Sequence, residues 1–334
     1  PIDHDHQSID PARRRRGLGL GAAALAGALG VGRLAHAQPY PARPIRWIIP
    51  YAAGGGADVG ARLYGQQMEK RLKQPLVIEN KPGGATVVGL NALLAAPADG
   101  YTIMMGNDSL AINPFLIANV PTPADVVGIS VLVKGGLALV SRADYPARTV
   151  AEALDYIRTH GEQLSFGSWG VGGTAHLAME ALLERLGARM VHVPYNGAAP
   201  SINALAGGQV DIMFTDLATA ASFIKAGRLK LWALANGERH PAYPEVPTLA
   251  ESGVPGFDWF AWFGVLARKG TPPDIVARLN EAIVAVGNEP AFRRDQIERG
   301  NIPWNSTPQE MDELLKANAL ADKAIIDKHN IKLA

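Results

Sequence analysis

The stretch "PIRWIIPYAAGGGADVGARLYGQQMEKRL", residues 44–72, decides the reading of the fold. Ile45 to Ile49 form a short apolar run between two prolines, the pattern of a buried strand. Gly54 to Gly56 supply a turn, and from Val59 to Leu72 the apolar residues recur at helical spacing. The alternation continues with "PLVIEN" (75–80) as a strand, "TVVGLNALLAA" (86–96) as a helix and "GYTIMMG" (100–106) as a strand. Strands alternating with helices predict an α/β fold with a parallel, doubly wound sheet.

The pattern restarts after Val140. "TVAEALDYIRTH" (149–160) opens with Thr149 and Glu152 at capping-box spacing. Strand "LSF", the loop "GSWGVGGTA" and helix "HLAMEALLERL" (176–186) follow. "RMVHVPY", "APSINALAGG", "VDIMFTD", "ATAASFIKAG" and "LKLWALA" extend the strand–helix alternation to residue 235. "DWFAWFGVLA" (258–267) reads as a long aromatic strand, and the last helix starts at Thr307, Pro308 and Glu310. A C-terminal segment returning to the first lobe predicts two crossings: residues 38–139 plus 258–334 as one domain, 140–257 as the other. Clefts of this kind close on ligands by hinge motion.

Residues 1–37 have the composition of an export signal: the basic block Arg13–Arg16, an uncharged run over 17–32, and "AHA" (35–37). Cleavage is expected near Ala37, with a periplasmic product, and the arginine cluster suits the twin-arginine route or a general secretory one. The cut removes five arginines (13–16 and 33) and three aspartates (3, 5 and 10) from 32 basic and 31 acidic residues, turning the charge from +1 to −1. Such a balance calls for neither nucleic acid nor an anionic membrane as partner. The absence of cysteine excludes disulfides and thiolate metal sites.

Catalytic motifs fail on spacing. "GSWG" (167–170) lacks the G-x-S-x-G of a nucleophile elbow, although a secreted hydrolase using Ser168 stands as the alternative function. No Gly-Lys pair exists for a phosphate loop, neither glycine-rich turn matches G-x-G-x-x-G, and no histidine pair has zincin spacing. A cytoplasmic regulator's effector domain would need a helix-turn-helix segment, where this chain has the export signal. What remains is two glycine-rich loops, "YAAGGGAD" (51–58) and "GSWGVGGTA" (167–175), each between a strand and a helix. Helix N-termini expose unpaired N–H groups and partial positive charge, so a matched pair suits an anion without arginine. Asp58 would repel an anion and reads better as a helix cap. His176 reads as a buried polar residue bonded to a neighbouring loop, and Trp169 either lines the cavity or packs on its own lobe. Phe257, Trp259, Phe260, Trp262 and Phe263 suit core or hinge packing better than a ligand cage.

"YPARPIRWIIPYAAGGGADVGARL", "VIENKPGG", "PADGYTIMMG" and "AINPFL" resemble the first lobe of the tripartite tricarboxylate transporter substrate-binding proteins, the Bug family. "FGSWGVGGTAHLAME", "HVPYNGAAPSINALAGGQVDIMF", "IKAGRLKLWALA" and "VPTLAESGVPGFDW" resemble the second lobe, in the same order. The resemblance implies a type II periplasmic binding protein: two doubly wound α/β domains, two hinge crossovers and a Venus-flytrap cleft. It implies a monomeric receptor, not an enzyme, without cofactor or metal. Such a receptor takes a small carboxylate (a dicarboxylate, acidic amino acid or aromatic acid) and passes it to the transporter's membrane subunits.

By position, Tyr51, Ala53, Gly54, Gly55 and Gly56 would receive one end of the ligand. Ser168, Gly170, Gly172, Gly173 and Thr174 would receive the other carboxylate, and Asn107, Ser109 and Asn113 would line the wall. His176, Tyr195 and Asp216 would sit at the rim or on the second lobe. Two features depart from the family: a short, weakly acidic segment over 117–132, and Trp169 where small residues are usual. The tryptophan would shrink the cavity or stack on a planar acid.

Overall fold

A computed structural model describes residues 39–332. The expected export signal over 1–37 and its cleavage point near Ala37 lie outside the described residues. The first half of the chain folds as β1 (Ile45–Ile49), α1 (Gly56–Leu72), β2 (Leu76–Asn80), α2 (Val87–Leu94), β3 (Thr102–Gly106), α3 (Ser109–Leu116) and β4 (Val126–Gly135). Next come β5 (Leu137–Arg142), α4 (Val150–His160), β6 (Ser165–Ser168), α5 (Thr174–Leu186), β7 (Val191–Pro194) and α6 (Ala198–Ala206). Then follow β8 (Ile212–Asp216), α7 (Leu217–Lys225), β9 (Leu229–Leu234) and β10 (Ala261–Arg268). The chain closes with α8 (Pro273–Gly287), α9 (Pro290–Glu298), β11 (Asn301–Pro303) and α10 (Pro308–His329).

The strands form two sheets, in the orders β11-β4-β10-β3-β1-β2 and β7-β6-β8-β5-β9. Strands β1, β2 and β3 run parallel, as do β6, β7 and β8. Both sheets are nevertheless mixed, not purely parallel as the alternation predicts. Strand β10 lies antiparallel to β3 and β4, and β5 antiparallel to β8 and β9. The cause is the crossing itself. Strands β4 and β5 are separated only by Gly136, so the chain enters the second sheet from the cleft side, and β10 enters the first sheet the same way. The crossing at Gly136 precedes the expected boundary after residue 139, and the return crossing lies between β9 and β10.

Strand β1 shows why a continuous apolar run is needed. Ile45, Trp47 and Ile49 pack towards α1 and α8 with Tyr64, Met68 and Ile283, while Ile48 packs on the other face with Leu90, Trp262 and Leu315. A strand covered on both faces has no solvent side to make polar. The second sheet is covered in the same way, with Leu139, Phe166 and Phe214 on one face and Val140, Leu205 and Met213 on the other. Helix α10 starts with the expected box: Thr307 Oγ1 accepts from Glu310 N–H at 3.2 Å and Glu310 Oε2 accepts from Thr307 N–H at 2.7 Å. At α4 only half of the box forms: Thr149 Oγ1 accepts from Glu152 N–H, while Glu152 accepts from Arg148 N–H.

Buried Asn236 ties the two crossings together. Its Oδ1 accepts from Leu137 N–H at 2.9 Å and its Nδ2 donates to Gly135 O at 3.3 Å. The lobes touch on both flanks. On one, Gly136 N–H donates to Gly300 O, and a Cβ on Gly300 would lie 2.8 Å from the Ala218 backbone nitrogen. On the other, Ile112 of α3, Leu177 of α5 and Ile326 of α10 form a small apolar cluster.

Candidate functional site

Loop 51–58 sits at the mouth of the first lobe, with residues 52–56 exposed. Helix α1 begins at Gly56, earlier than the apolar spacing predicts, because Asp58 reaches back over the turn. Its Oδ2 accepts from Gly54 N–H at 2.9 Å and from Arg62 Nε at 3.0 Å, and its Oδ1 accepts from Asn80 Nδ2 at 3.0 Å. Burial works to raise this carboxyl, but the bonds from Arg62, Gly54 and Asn80 outweigh it and hold it below the usual range. Asp58 therefore acts as a cap, and the Gly54 amide expected to meet a ligand is already engaged. The N–H groups of Gly55 and Gly56 have no partner among the described residues and stand at the positive end of α1.

Loop 166–176 is built differently. Ser168 is fully buried, its Oγ 2.7 Å from His192 Nε2 and in contact with both polar backbone atoms of Gly170. Gly172 N–H donates to His176 Nδ1 at 2.9 Å, and Gly173 N–H donates to Gly170 O at 3.4 Å. His176 stacks on His192 with ring centroids 3.7 Å apart, and its Nε2 lies 3.5 Å from Glu180 Oε1. Burial and then the neighbouring imidazole push His192 down to about 4, so it is neutral at neutral pH. The loop thus engages the amides of Gly170, Gly172 and Gly173 within itself. Thr174 and the first turn of α5 are what it leaves for a ligand.

Each loop borders a cavity. Gly56 and the start of α1 face Asp216, Ala218 and Thr219 of the second lobe across a cavity of about 40 Å³. Thr174 lines a second cavity, of about 110 Å³, together with Asp108 and α10. Tyr51 lies nearby, edge-on to Phe263 at 6.0 Å, with its buried hydroxyl unpartnered among the described residues. Burial, then Asp108 and Asp216, raise that hydroxyl well above its ordinary value. Burial pushes Asp216 up to about 6 and Asp108 to about 7. Both acids thus take up protons at a higher pH than an exposed carboxylate does.

Other expected contacts take structural roles. Asn113 is buried and its Nδ2 donates to Ala85 O at 2.7 Å, which fixes the turn before α2. Asn107 Oδ1 accepts from Ser109 N–H at 3.2 Å, which shapes the start of α3. Trp169 lines neither cavity; its indole packs on the core of its own lobe, in the space that a Cβ on Gly173 would fill. Tyr195 is half-buried against the second lobe, where its N–H donates to Ser168 O at 3.0 Å. Ala53 lies in the exposed part of the first loop.

Sequence reading missed Gln296 of α9, which is 1% exposed, has no partner for Nε2 among the described residues, and lines the first cavity. It also missed Asp108 and Asp322. None of these lies in a motif; each is far in sequence from the residues it meets.

Two α/β lobes, crossed twice by the chain and closing on polar groups at the strand ends, define the periplasmic binding protein fold. Residues 61–331 match the "Tripartite tricarboxylate transporter family receptor", and the chain belongs to that family. A UPF0065 protein of Bordetella pertussis is 34% identical over 279 residues, covering 83% of this chain and 86% of that protein. The periplasmic binding protein BugD superimposes with a TM-score of 0.79 at 30% identity, over 88% of this chain and 100% of its own. R. palustris Rpa4515, solved with adipate, gives 0.82 at 28% identity with the same coverage.

Proposed function

We propose that this chain is a periplasmic receptor that captures a small carboxylate, of the dicarboxylate or aromatic-acid type, between its lobes. It would then deliver that ligand to the membrane subunits of a tripartite tricarboxylate-type transporter. The observation that carries this reading is the exposed start of α1, where the Gly55 and Gly56 N–H groups have no partner among the described residues and Gly56 faces Asp216, Ala218 and Thr219 of the second lobe. Gln296 Nε2 adds a buried donor on the same cavity. No lysine or arginine lines that cavity among the described residues, so recognition would rest on amides and the helix dipole. Asp216, whose carboxyl burial raises to about 6, faces the same cavity from the second lobe and would have to bind a proton to donate to a ligand carboxylate. The adipate found in Rpa4515 supports a dicarboxylate as the class to test first.

In this reading the protein acts as a monomer, needs no cofactor or metal, is not an enzyme, and reaches the periplasm after cleavage near Ala37. Its lobes have the limits at which the strands change sheet. The Ser168–His192 pair has the spacing of a nucleophile and its base. Its serine is fully buried, however, and Glu180 pairs with His176, not His192. Fluorophosphonate should leave the protein unlabelled.

The direct test is thermal shift and calorimetry against a panel of mono- and dicarboxylates. One class should raise the melting temperature in a dose-dependent way. Gln296→Ala should weaken its binding roughly tenfold, the loss of one buried hydrogen bond to a charged group. A panel without any binder would sink the proposal.

A further inference from the structure

The cavity of about 110 Å³ at the crossing between the lobes is lined by Asp108, Thr174, Trp259, Phe260, Asn318 and Asp322. Asp108 and Asp322 are 5% and 6% exposed. Neither the Asp322 nor the Asp108 carboxylate has an ion-pair partner among the described residues, and Asp108, the residue before α3, makes no side-chain cap bond there. No lysine or arginine lines this space among the described residues. Lys323, next along α10, turns away to Asp327 and the Phe115 ring. Asp258 stands at the exposed end of the cavity and accepts from Gly237 N–H at 2.7 Å. The other ionisable groups facing Asp108 are Asp216 at the end of β8 and Tyr51, neither of them cationic.

Two buried carboxylates without a counter-charge are costly unless protons or a cation neutralise them. The volume admits several waters or a small ion. A hard divalent ion needs six or more oxygen ligands, and no group of three or more suitable acidic, histidine or cysteine side chains is assembled among the described residues. An ammonium group needs less: one or two carboxylates, a few oxygen acceptors and aromatic walls.

We infer that this cavity binds a small ammonium group, with Asp108 and Asp322 as counter-ions and the Thr174 hydroxyl and Asn318 carbonyl as acceptors. Trp259 and Phe260 form its aromatic walls, and the Lys134 ammonium of β4 lies over the Phe260 ring at 4.1 Å. The site draws on both lobes and on the segment that crosses between them, so its occupant favours the closed form. It goes beyond carboxylate capture and is testable without any carboxylate present. Burial pushes Asp322 up to about 8, with Asp108 adding to the rise, and Asp108 itself to about 7. The ammonium therefore displaces protons, and its binding strengthens as pH rises through that range.

The probe is methylammonium chloride, titrated by calorimetry at pH 6 and pH 8.5 in two buffers of different ionisation heat, with melting temperature read in parallel. We expect roughly tenfold tighter binding at the higher pH, with net proton release, and a melting rise of about 4 °C at saturating probe. Asp322→Asn should abolish the response while melting, without probe at pH 8.5, no lower than wild type. If that variant does not fold, Asn318→Ala and the wild-type pH dependence decide the matter. No binding at pH 8.5, equal binding at both pH values, a larger response to calcium, or an unchanged Asp322→Asn would each overturn the assignment.

Discussion

The two glycine-rich turns share a sequence signature and treat their polar groups in opposite ways. Turn 51–58 is exposed over 52–56, buttressed from behind by one carboxylate, and leaves the Gly55 and Gly56 amides without partners among the described residues. Turn 166–176 is largely buried and folds the amides of Gly170, Gly172 and Gly173 onto Ser168, His176 and its own backbone. The first can receive an anion; the second is a wall that positions Thr174. Glycine marks where a backbone bends, and only its neighbours decide whether the bent backbone has donors to offer.

The largest test of this contrast is Asp58→Ala. It removes the acceptor for Gly54, Arg62 and Asn80 together and should cost about 3 kcal/mol, read by urea denaturation. An unchanged midpoint would mean the first turn holds itself. Ser168→Ala should cost about 1.5 kcal/mol by the same measurement, since it leaves His192 Nε2 and the Gly170 amide without their partner. It should leave carboxylate affinity untouched. A loss of affinity without loss of stability would restore this turn as a ligand contact.

The smallest effect is a pH dependence confined to the second turn. His192 has a folded value of about 4 against an ordinary 6.5, so the native state binds fewer protons than the unfolded chain in that window. Its contribution is complete above pH 6.5 and is lost as pH falls through 4. At pH 5 the loss should be about 1 kcal/mol, discounted for its half-exposed ring. An NMR titration of His192 with a midpoint near 6.5 would contradict the buried pairing with Ser168.

Much of the architecture was legible. The strand over 45–49, the helix after it, the cap at Thr307 and the helix opening at Thr149 follow from apolar periodicity and capping chemistry, both local properties. Strands β4 and β5 are apolar runs that meet at Gly135 and Gly136, and nothing local shows that the chain changes sheet at that pair. Helix α3 was hidden by Pro114 within its span. At the site, Asp58 was readable as a cap from its place in the first helical turn, and His176 as a buried loop-holder. Gln296, Asp108 and Asp322 carry no motif, so no local signal singles them out.

By itself the sequence determined two α/β lobes, the chain's return to the first lobe, and membership of a receptor family, because each rests on patterns within a short reach of chain. Only the tertiary structure decided which glycine amides remain without partners among the described residues, that Trp169 turns onto its own lobe, and that two buried carboxylates meet behind Thr174. Those outcomes depend on contacts between residues far apart in the chain, set by how the lobes pack.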